Sequence, residues 1–361
     1  MEVAVNANHE ADQGLDASEV KAIARVAGAD LVGIANAEVL NEYPPDPAHP
    51  QIPARITREA RNVIVIGKRV PVAGFRTKAR APYHNMTVMV LRRLDKIALR
   101  ISQALERHGH FGVVAATNST SWELKRGTYG HFSLRHLAVE AGLGTLGLNM
   151  NFLSPEFGPR LYLGAILTDL DVEPDQPMRE QVCIGESCAR CVHGCPTDSV
   201  RHFALDKRAC SPEAQVAGFS GVTSLFSAFV KADRNTKEDI ARSPQMLAHW
   251  QSMMRVAGCF ACCPRCSAVC PVGDDYHAHL AEISKVIPEK TPVKIEKAGE
   301  FKVARKMGDS VVGLNEWNVR WVGPDGYTGE ANRQQRKKHK AEQQRRMAAA
   351  AAATAEQDRR T

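Results

Sequence analysis

The cysteines of this chain are confined to one stretch, and that confinement limits what its 361 residues can fold into more than any other feature. The first 182 residues contain none. Four then fall between Cys183 and Cys195, Cys210 stands alone, and five lie between Cys259 and Cys270. The N-terminus, "MEVAVNANHEADQG", is polar and acidic and lacks the basic start, apolar run and arginine pair of an export signal. The expected location is therefore the cytoplasm, where a disulfide framework is not expected. Thiols clustered at short spacing in that compartment point to metal.

The spacing narrows the metal. "CIGESCARCVHGCP" reads Cys183-x4-Cys188-x2-Cys191-x3-Cys195-Pro196, and "CPRCSAVCP" reads Cys263-x2-Cys266-x3-Cys270-Pro271. The bacterial ferredoxin run is C-x2-C-x2-C-x3-C-P, whose fourth cysteine ligates the other cluster. Here the first gap is longer by two residues. Three thiolates on a tightly turning loop reach three irons of one cube, and the fourth turns to its neighbour. Phe260 stands where the second run needs a cysteine, and Cys210, in "LDKRAC", can supply it. The expected ligands are Cys183, Cys188, Cys191 and Cys270 for one [4Fe–4S] cluster, and Cys195, Cys210, Cys263 and Cys266 for the other. Cys259 and Cys262 are left over; either is an alternative to Cys210 or Cys263, and both also read as plain buried thiols. Zinc is the competing metal, since C-x2-C pairs build zinc sites too. The paired C-x3-C-P ends favour iron–sulfur.

Ahead of the cysteines, helix and strand patterns mix. Asp16 and Ser18 precede a helical pattern that ends at Gly28. "ADLVGIA" and "NVIVIGKRV" read as strands, the second with a continuous apolar run as in a strand buried on both faces. His84 to His108 carries apolar residues every three or four positions, a long helix. "FGVVAAT" and "RLYLGAILTDL" are further strands, and "SLRHLAVEAG" is a short helix. The expected class is α+β, with a domain over 1–175 and a cysteine-bearing domain with few long elements over 176–285. A weakly patterned segment over 286–330 wraps back on the body. Residues 331–361 form a basic, low-complexity tail with nine Lys and Arg against three Asp and Glu, most of the chain's net charge of +7. The near-neutral remainder argues against nucleic-acid binding as the main business. The tail reads as solvated or disordered, or as a dock for an acidic partner such as an electron donor. No apolar run of about 18 residues marks a membrane span.

"AGLGTLGLNMN" holds G-x-G-x-x-G at Gly142, Gly144 and Gly147. A dinucleotide fingerprint needs a strand before it and a helix after it. These glycines follow a helix and precede a turn-rich stretch, so Gly142 reads as a left-handed helix cap and the other two as points of close approach.

Taken together, "AGLGTLGLN", "SPEFGPRLYLGAILTDL", the C-x2-C-x3-C-P ends and "LDKRAC" resemble the corrinoid-dependent iron–sulfur reductases, the reductive dehalogenases and epoxyqueuosine reductases. "VKAIARVAGADLVGIA" is similar to their opening helix and strand. The resemblance covers roughly residues 18 to 275 and implies a nitroreductase-like domain holding base-off cobalamin, followed by a ferredoxin-like domain with two [4Fe–4S] clusters. It places Gly142, Gly144, Gly147, Asn149 and Asn151 against the corrinoid. Epoxyqueuosine reductases carry an Asp thirteen residues before the Ala of the AGLG motif; that position here is Thr128. Reductive dehalogenases use a Tyr proton donor helped by a basic residue. Tyr129 is adjacent, and Arg160, Lys125, Arg126 and His131 are candidate helpers.

The resemblance therefore implies a cytoplasmic, reductive dehalogenase-like oxidoreductase acting on a small-molecule substrate. Its electrons would come from a ferredoxin, a flavodoxin or a reductase. The alternatives are an epoxyqueuosine reductase acting on tRNA and a ferredoxin-type electron-transfer protein without catalysis.

Overall fold

Asp16 opens the first helix by reciprocal capping. Its carboxylate accepts from the Glu19 N–H at 2.8 Å, and its own N–H donates back to Glu19 at 2.9 Å. The helix, α1 (Ala17–Ala27), ends at Gly28, whose φ of 110° only glycine adopts readily. This computed structural model describes residues 14–77, 80–115, 121–125, 129–216, 218–254, 263–274, 287 and 291–307.

After α1 come β1 (Leu31–Asn36), α2 (Ala37–Glu42), β2 (Asn62–Arg69), α3 (Arg80–Arg107) and β3 (Val113–Ala115). Then follow α4 (Leu134–Glu140), the short β4 (Thr145–Leu146) and β5 (Phe152–Leu153), and β6 (Leu161–Thr168). Four strands form one sheet in the order β1-β2-β6-β3, antiparallel at each junction. Ile64 stands opposite Ile34 on one side and Ile166 on the other.

The continuous apolar run of β2 has a direct cause. Alternate side chains enter two separate cores. Ile64 and Ile66 pack with Leu94, Ile97 and Ile101 of α3 and with Val20 and Ala24 of α1. Val63 and Val65 pack with Leu137 and Ala138 of α4 and with Leu146 and Leu148 beyond it. Burying one such side chain is worth about 1.5–3 kcal/mol. The mixed α+β class is thus what the two-faced strand requires.

The second core does not stop where the sheet ends. It continues through Ala189, Val192, Cys195, Val200 and Phe203. These belong to α5 (Arg190–His193), β7 (Val200–Arg201) and their flanks. The chain division expected at 175/176 is therefore crossed by one buried cluster.

Beyond β8 (Ala204–Leu205) the structure departs from the expectation of few long elements. Four helices fill the interval between the cysteine groups: α6 (Lys207–Ala214), α7 (Phe219–Lys231), α8 (Arg234–Ala241) and α9 (Pro244–Met254). Asp206 and Asp233 cap α6 and α8 by accepting backbone N–H groups, a local signal the cysteine spacing overshadowed. After α10 (Arg265–Ala268) comes α11 (Pro292–Met307), inside the segment read as weakly patterned. Its Lys294 bonds the Cys195 carbonyl and, at 2.8 Å, the Asp198 carboxylate, so α11 straps the first cysteine loop. The basic tail lies outside the described residues.

Candidate functional site

The first cysteine run leaves the sheet, turns once, and meets the second run coming back. Gly185 to Ser187 form a single 3-10 turn, which uses the two extra residues between Cys183 and Cys188. Arg160, at the start of β6, anchors the returning arm: its guanidinium donates to the carbonyls of Cys270 at 3.2 Å and Val272 at 2.9 Å. It has no solvent exposure. The Asp274 N–H adds a bond to the Glu156 carbonyl at 3.0 Å.

Eight cysteines are described, and none is in a disulfide. Cys183, Cys188, Cys191 and Cys270 line one cavity, together with Leu148, Asn149 and Leu153 among others. Burial pushes the Cys270 thiol up to about 12, and the charges of Cys183 and Cys188 add to the rise. Burial also pushes Cys191 well above the thiol range, with Cys270, Cys183 and Cys188 contributing; it feels Cys266 too, across the gap to the other set. Cys183 is raised by burial, which the N–H groups of Leu148 and Gly185 partly offset.

In the other set Cys210 and Cys266 are raised in the same way. Burial lifts Cys210 to about 12, reinforced by Cys266, Cys195 and Cys263. Burial lifts Cys266 to about 11, with Cys263 and Cys195 adding and the Asn151 amide opposing. Cys195 goes the other way. Burial raises it, but hydrogen bonds from Ser199, Thr197 and Val200 together bring it below the thiol range. The Tyr83 phenol, raised by burial and by Tyr162, also feels Cys266 and Cys263.

These donor sets fit iron–sulfur clusters. Thiols raised by burial and by one another, as Cys191, Cys210, Cys266 and Cys270 are, are stabilised as thiolates by a cationic centre between them. Among the described residues no three His, Cys, Asp or Glu meet closely enough to hold a single ion; the first set instead surrounds a cavity. Cys259 and Cys262 lie outside the described residues.

The glycine stretch sits elsewhere than against open space. Gly142, at φ 71°, ends α4: its N–H bonds the Val139 carbonyl at 3.1 Å and the Leu143 N–H bonds Ala138 at 3.0 Å. A Cβ on Gly142 would meet the Gln176 carbonyl at 2.5 Å, and one on Gly144 would strike the carbonyl of Leu153. At Gly147 it would meet the Leu153 side chain at 2.8 Å. Asn149 is buried and its amide reaches toward the Cys266 carbonyl at 3.5 Å, while Asn151 Nδ2 is 3.3 Å from Cys266 Sγ. In the direction a Cβ would take, all three glycines are packed against protein, while Asn149 also borders the cavity of the first cysteine set. Strand β4 lies between Gly144 and Gly147, and a turn and β5 rather than a helix follow them, so the dinucleotide reading has no support.

Tyr129 is buried within a polar group that the sequence did not foreshadow. Its hydroxyl donates to Asp46 Oδ2 at 2.9 Å. His49 Nδ1 lies 3.4 Å from the same oxygen, and its ring meets the Tyr129 ring edge-on. The Lys207 ammonium sits 5.4 Å from the Tyr129 ring centroid. Lys207 is in α6, one turn before Cys210, so this group abuts the second cysteine set. Asp46 is held in a proline-rich loop, "YPPDPAHP", where it accepts from the Ala48 N–H at 3.2 Å. Lys125 and His131 are exposed, and Arg126 and Thr128 lie outside the described residues. Asp46 is 83 positions from Tyr129, a separation no local motif reports.

No protein-family model matches the chain. An epoxyqueuosine reductase of Bacillus anthracis is 37% identical over 82 residues, 22% of this chain and 21% of that protein. One from Listeria monocytogenes is 29% identical over 145 residues, 40% of this chain and 31% of the relative. A tetrachloroethene reductive dehalogenase of Desulfitobacterium hafniense is 34% identical over 80 residues, 21% and 14%. Among solved structures, a catabolic reductive dehalogenase in complex with 3-bromo-4-hydroxybenzoic acid aligns with a TM-score of 0.49 at 17% identity, covering 86% of this chain and 39% of that one. A selenomethionine-labelled epoxyqueuosine reductase aligns with a TM-score of 0.44 at 20% identity, covering 78% and 70%. The chain spans about a fifth of the length of the first curated relatives it matches. Both kinds of reductase match, so the resemblance to the superfamily that unites them stands, with neither branch favoured. Among the described residues no helix is long and apolar enough to cross a membrane.

Proposed function

We propose that the protein is an iron–sulfur reductase of this superfamily, dehalogenase-like in its chemistry, with Cys183, Cys188, Cys191 and Cys270 holding one [4Fe–4S] cluster and Cys195, Cys210, Cys263 and Cys266 the other. The observation that carries this reading is that Cys183, Cys188, Cys191 and Cys270 line one cavity while Cys195, Cys210, Cys263 and Cys266 act on one another as a second set. When bound, the clusters supply electrons one at a time from a donor such as a ferredoxin, a flavodoxin or a reductase. Replacing a halide on a small organic molecule by hydrogen consumes two electrons and one proton and releases the halide. Tyr129 is the proposed proton donor, with Asp46 holding its hydroxyl, His49 beside that carboxylate and Lys207 linking the group to the Cys210 helix. Arg160 then acts as an anchor of the cysteine arm rather than on substrate.

The resemblance also implies cobalamin. It places residues 142–151 against the corrinoid, and no step is derived through that group. A second reading, epoxyqueuosine reduction on tRNA, is favoured by several curated relatives of that name. A third, electron transfer without catalysis, is what remains if no substrate turns over.

Anaerobic purification with iron, zinc and cobalt counting, followed by EPR, tests the centre. About eight irons per chain and two reducible signals support the proposal; zinc in place of iron overturns it. Cobalt near one per chain after cobalamin is supplied would support the corrinoid, and none would remove it. Turnover of halogenated phenols against epoxyqueuosine tRNA then separates the two enzymatic readings.

A further inference from the structure

The turn from Gly147 to Asn151 touches both cysteine sets at once. The turn is closed by Gly147 N–H on the Asn151 carbonyl at 2.8 Å and Met150 N–H on the Gly147 carbonyl at 2.9 Å. From its near end the Leu148 N–H points at Cys183 Sγ, 3.4 Å away. At its far end Asn151 Nδ2 points at Cys266 Sγ, 3.3 Å away, and at Ser267 Oγ at the same distance. Asn149 fixes this geometry: its Oδ1 accepts the Asn151 N–H at 3.1 Å, and its own amide leans on the Cys266 carbonyl. A thiolate only accepts, so the nitrogen and not the oxygen of the Asn151 amide belongs on the sulfur.

The two contacts differ in kind. Leu148 contributes a backbone group, which every residue at that position would present. Asn151 contributes a side chain, which the sequence selects. Hydrogen bonds to cluster sulfurs are among the factors that set an iron–sulfur potential, because they stabilise the extra negative charge of the reduced state.

We propose that Asn151 is a positioning residue that raises the reduction potential of the cluster at Cys195, Cys210, Cys263 and Cys266 through its amide bond to Cys266. The inference rests on the two-cluster reading above. It gives the glycine-rich stretch a purpose: the close packing at Gly142 and Gly144 brings the turn down onto the sulfurs. It also makes the two clusters unequal by a device outside the cysteine motifs.

The test is a redox titration of the full-length holoprotein, followed by EPR, for wild type, Asn151→Ala and Asn151→Asp. The expected result is a more negative midpoint for one cluster signal, further shifted in Asn151→Asp, with the other signal and the iron content at wild-type values. Unmoved midpoints at full iron content overturn the proposal. Should either variant load poorly, wild-type holoprotein grown with 15N-asparagine decides: pulsed EPR of the reduced cluster shows a 15N coupling if the amide sits on the sulfur, and its absence overturns the proposal. Wild-type protein without cubane signals overturns the two-cluster reading itself, and that is read before any variant is made.

Discussion

Arg160 reaches from the first residue before β6 to the carbonyl of Val272, 112 positions later, with a 2.9 Å hydrogen bond. Its other terminal nitrogen holds Cys270. The sheet domain thus fixes the backbone at Cys270, one of the proposed cluster ligands. Arg160→Met leaves two buried carbonyls short of a donor, at a cost of about 1–3 kcal/mol each. Urea unfolding and iron content should fall together, with Arg160→Lys intermediate because an ammonium cannot match the planar fork. A loss of turnover at full stability and full iron would instead place Arg160 in the chemistry.

Cys210 decides how the second set is completed. Cys210→Ser should cost about four of about eight irons and one EPR signal, while Cys259→Ser and Cys262→Ser keep both. The reverse pattern would move the ligand to the pair left over by the spacing.

Much of this fold was legible because local rules wrote it. The Asp16–Glu19 capping box, the two-faced run of β2 and the left-handed Gly142 each follow from neighbours within a few positions. The C-x3-C-P ends likewise announced two interleaved cysteine groups. What stayed hidden depends on topology. Nothing local to Asn151 announces Cys266, 115 positions on, which only the fold brings within reach of its amide. Asp46 and Lys207 carry no motif, and only the packing of a proline-rich loop and of α6 brings them to Tyr129. Helices α7 to α9 carry only ordinary local signals, such as the Asp233 cap of α8, beside the much stronger cysteine spacing.

Gly144 tests the close packing. Gly144→Ala drives a methyl group into the Leu153 carbonyl and the Phe152 ring, opening the β4–β5 hairpin. A destabilisation of about 2–4 kcal/mol is expected. Thermal melting reads it, and cluster loss on mild oxidation should accelerate as the Leu148 N–H moves off Cys183. A neutral Gly144→Ala would show that the hairpin has room the structure denies.

Lys294 and Asp198 provide a pH test. The Lys294 hydrogen bond holds the Asp198 carboxyl below its ordinary range, against a smaller rise from burial and with help from the charges of Lys294, Lys297 and Arg201. A depressed acid contributes stability above its unfolded value of about 3.9 and loses it as pH falls through the lowered folded value. The strap therefore holds at neutral pH and through mild acid. Because Asp198 is 40% exposed, solvent screening keeps the contribution below about 1 kcal/mol. Lys294→Met should lower hydrogen-exchange protection of α11 at pH 7, and Asp198→Asn should do the same without adding to it in the double variant.

Tyr129 carries the functional prediction. If its phenol delivers the proton, Tyr129→Phe should lower reductive turnover by about 10²–10⁴-fold. Iron content and cluster midpoints should stay unchanged, since the lost hydroxyl bonds Asp46 and not a cysteine. Asp46→Asn keeps an acceptor for the hydroxyl but removes the charge, so its loss should be smaller. Lys207→Met separates position from chemistry: it removes the cation over the ring while leaving the Tyr129–Asp46 bond in place. Single-turnover measurements on dithionite-reduced holoprotein read all three. Wild-type turnover in Tyr129→Phe would remove Tyr129 as the donor and turn the search to the residues that flank the cavity of the first cysteine set.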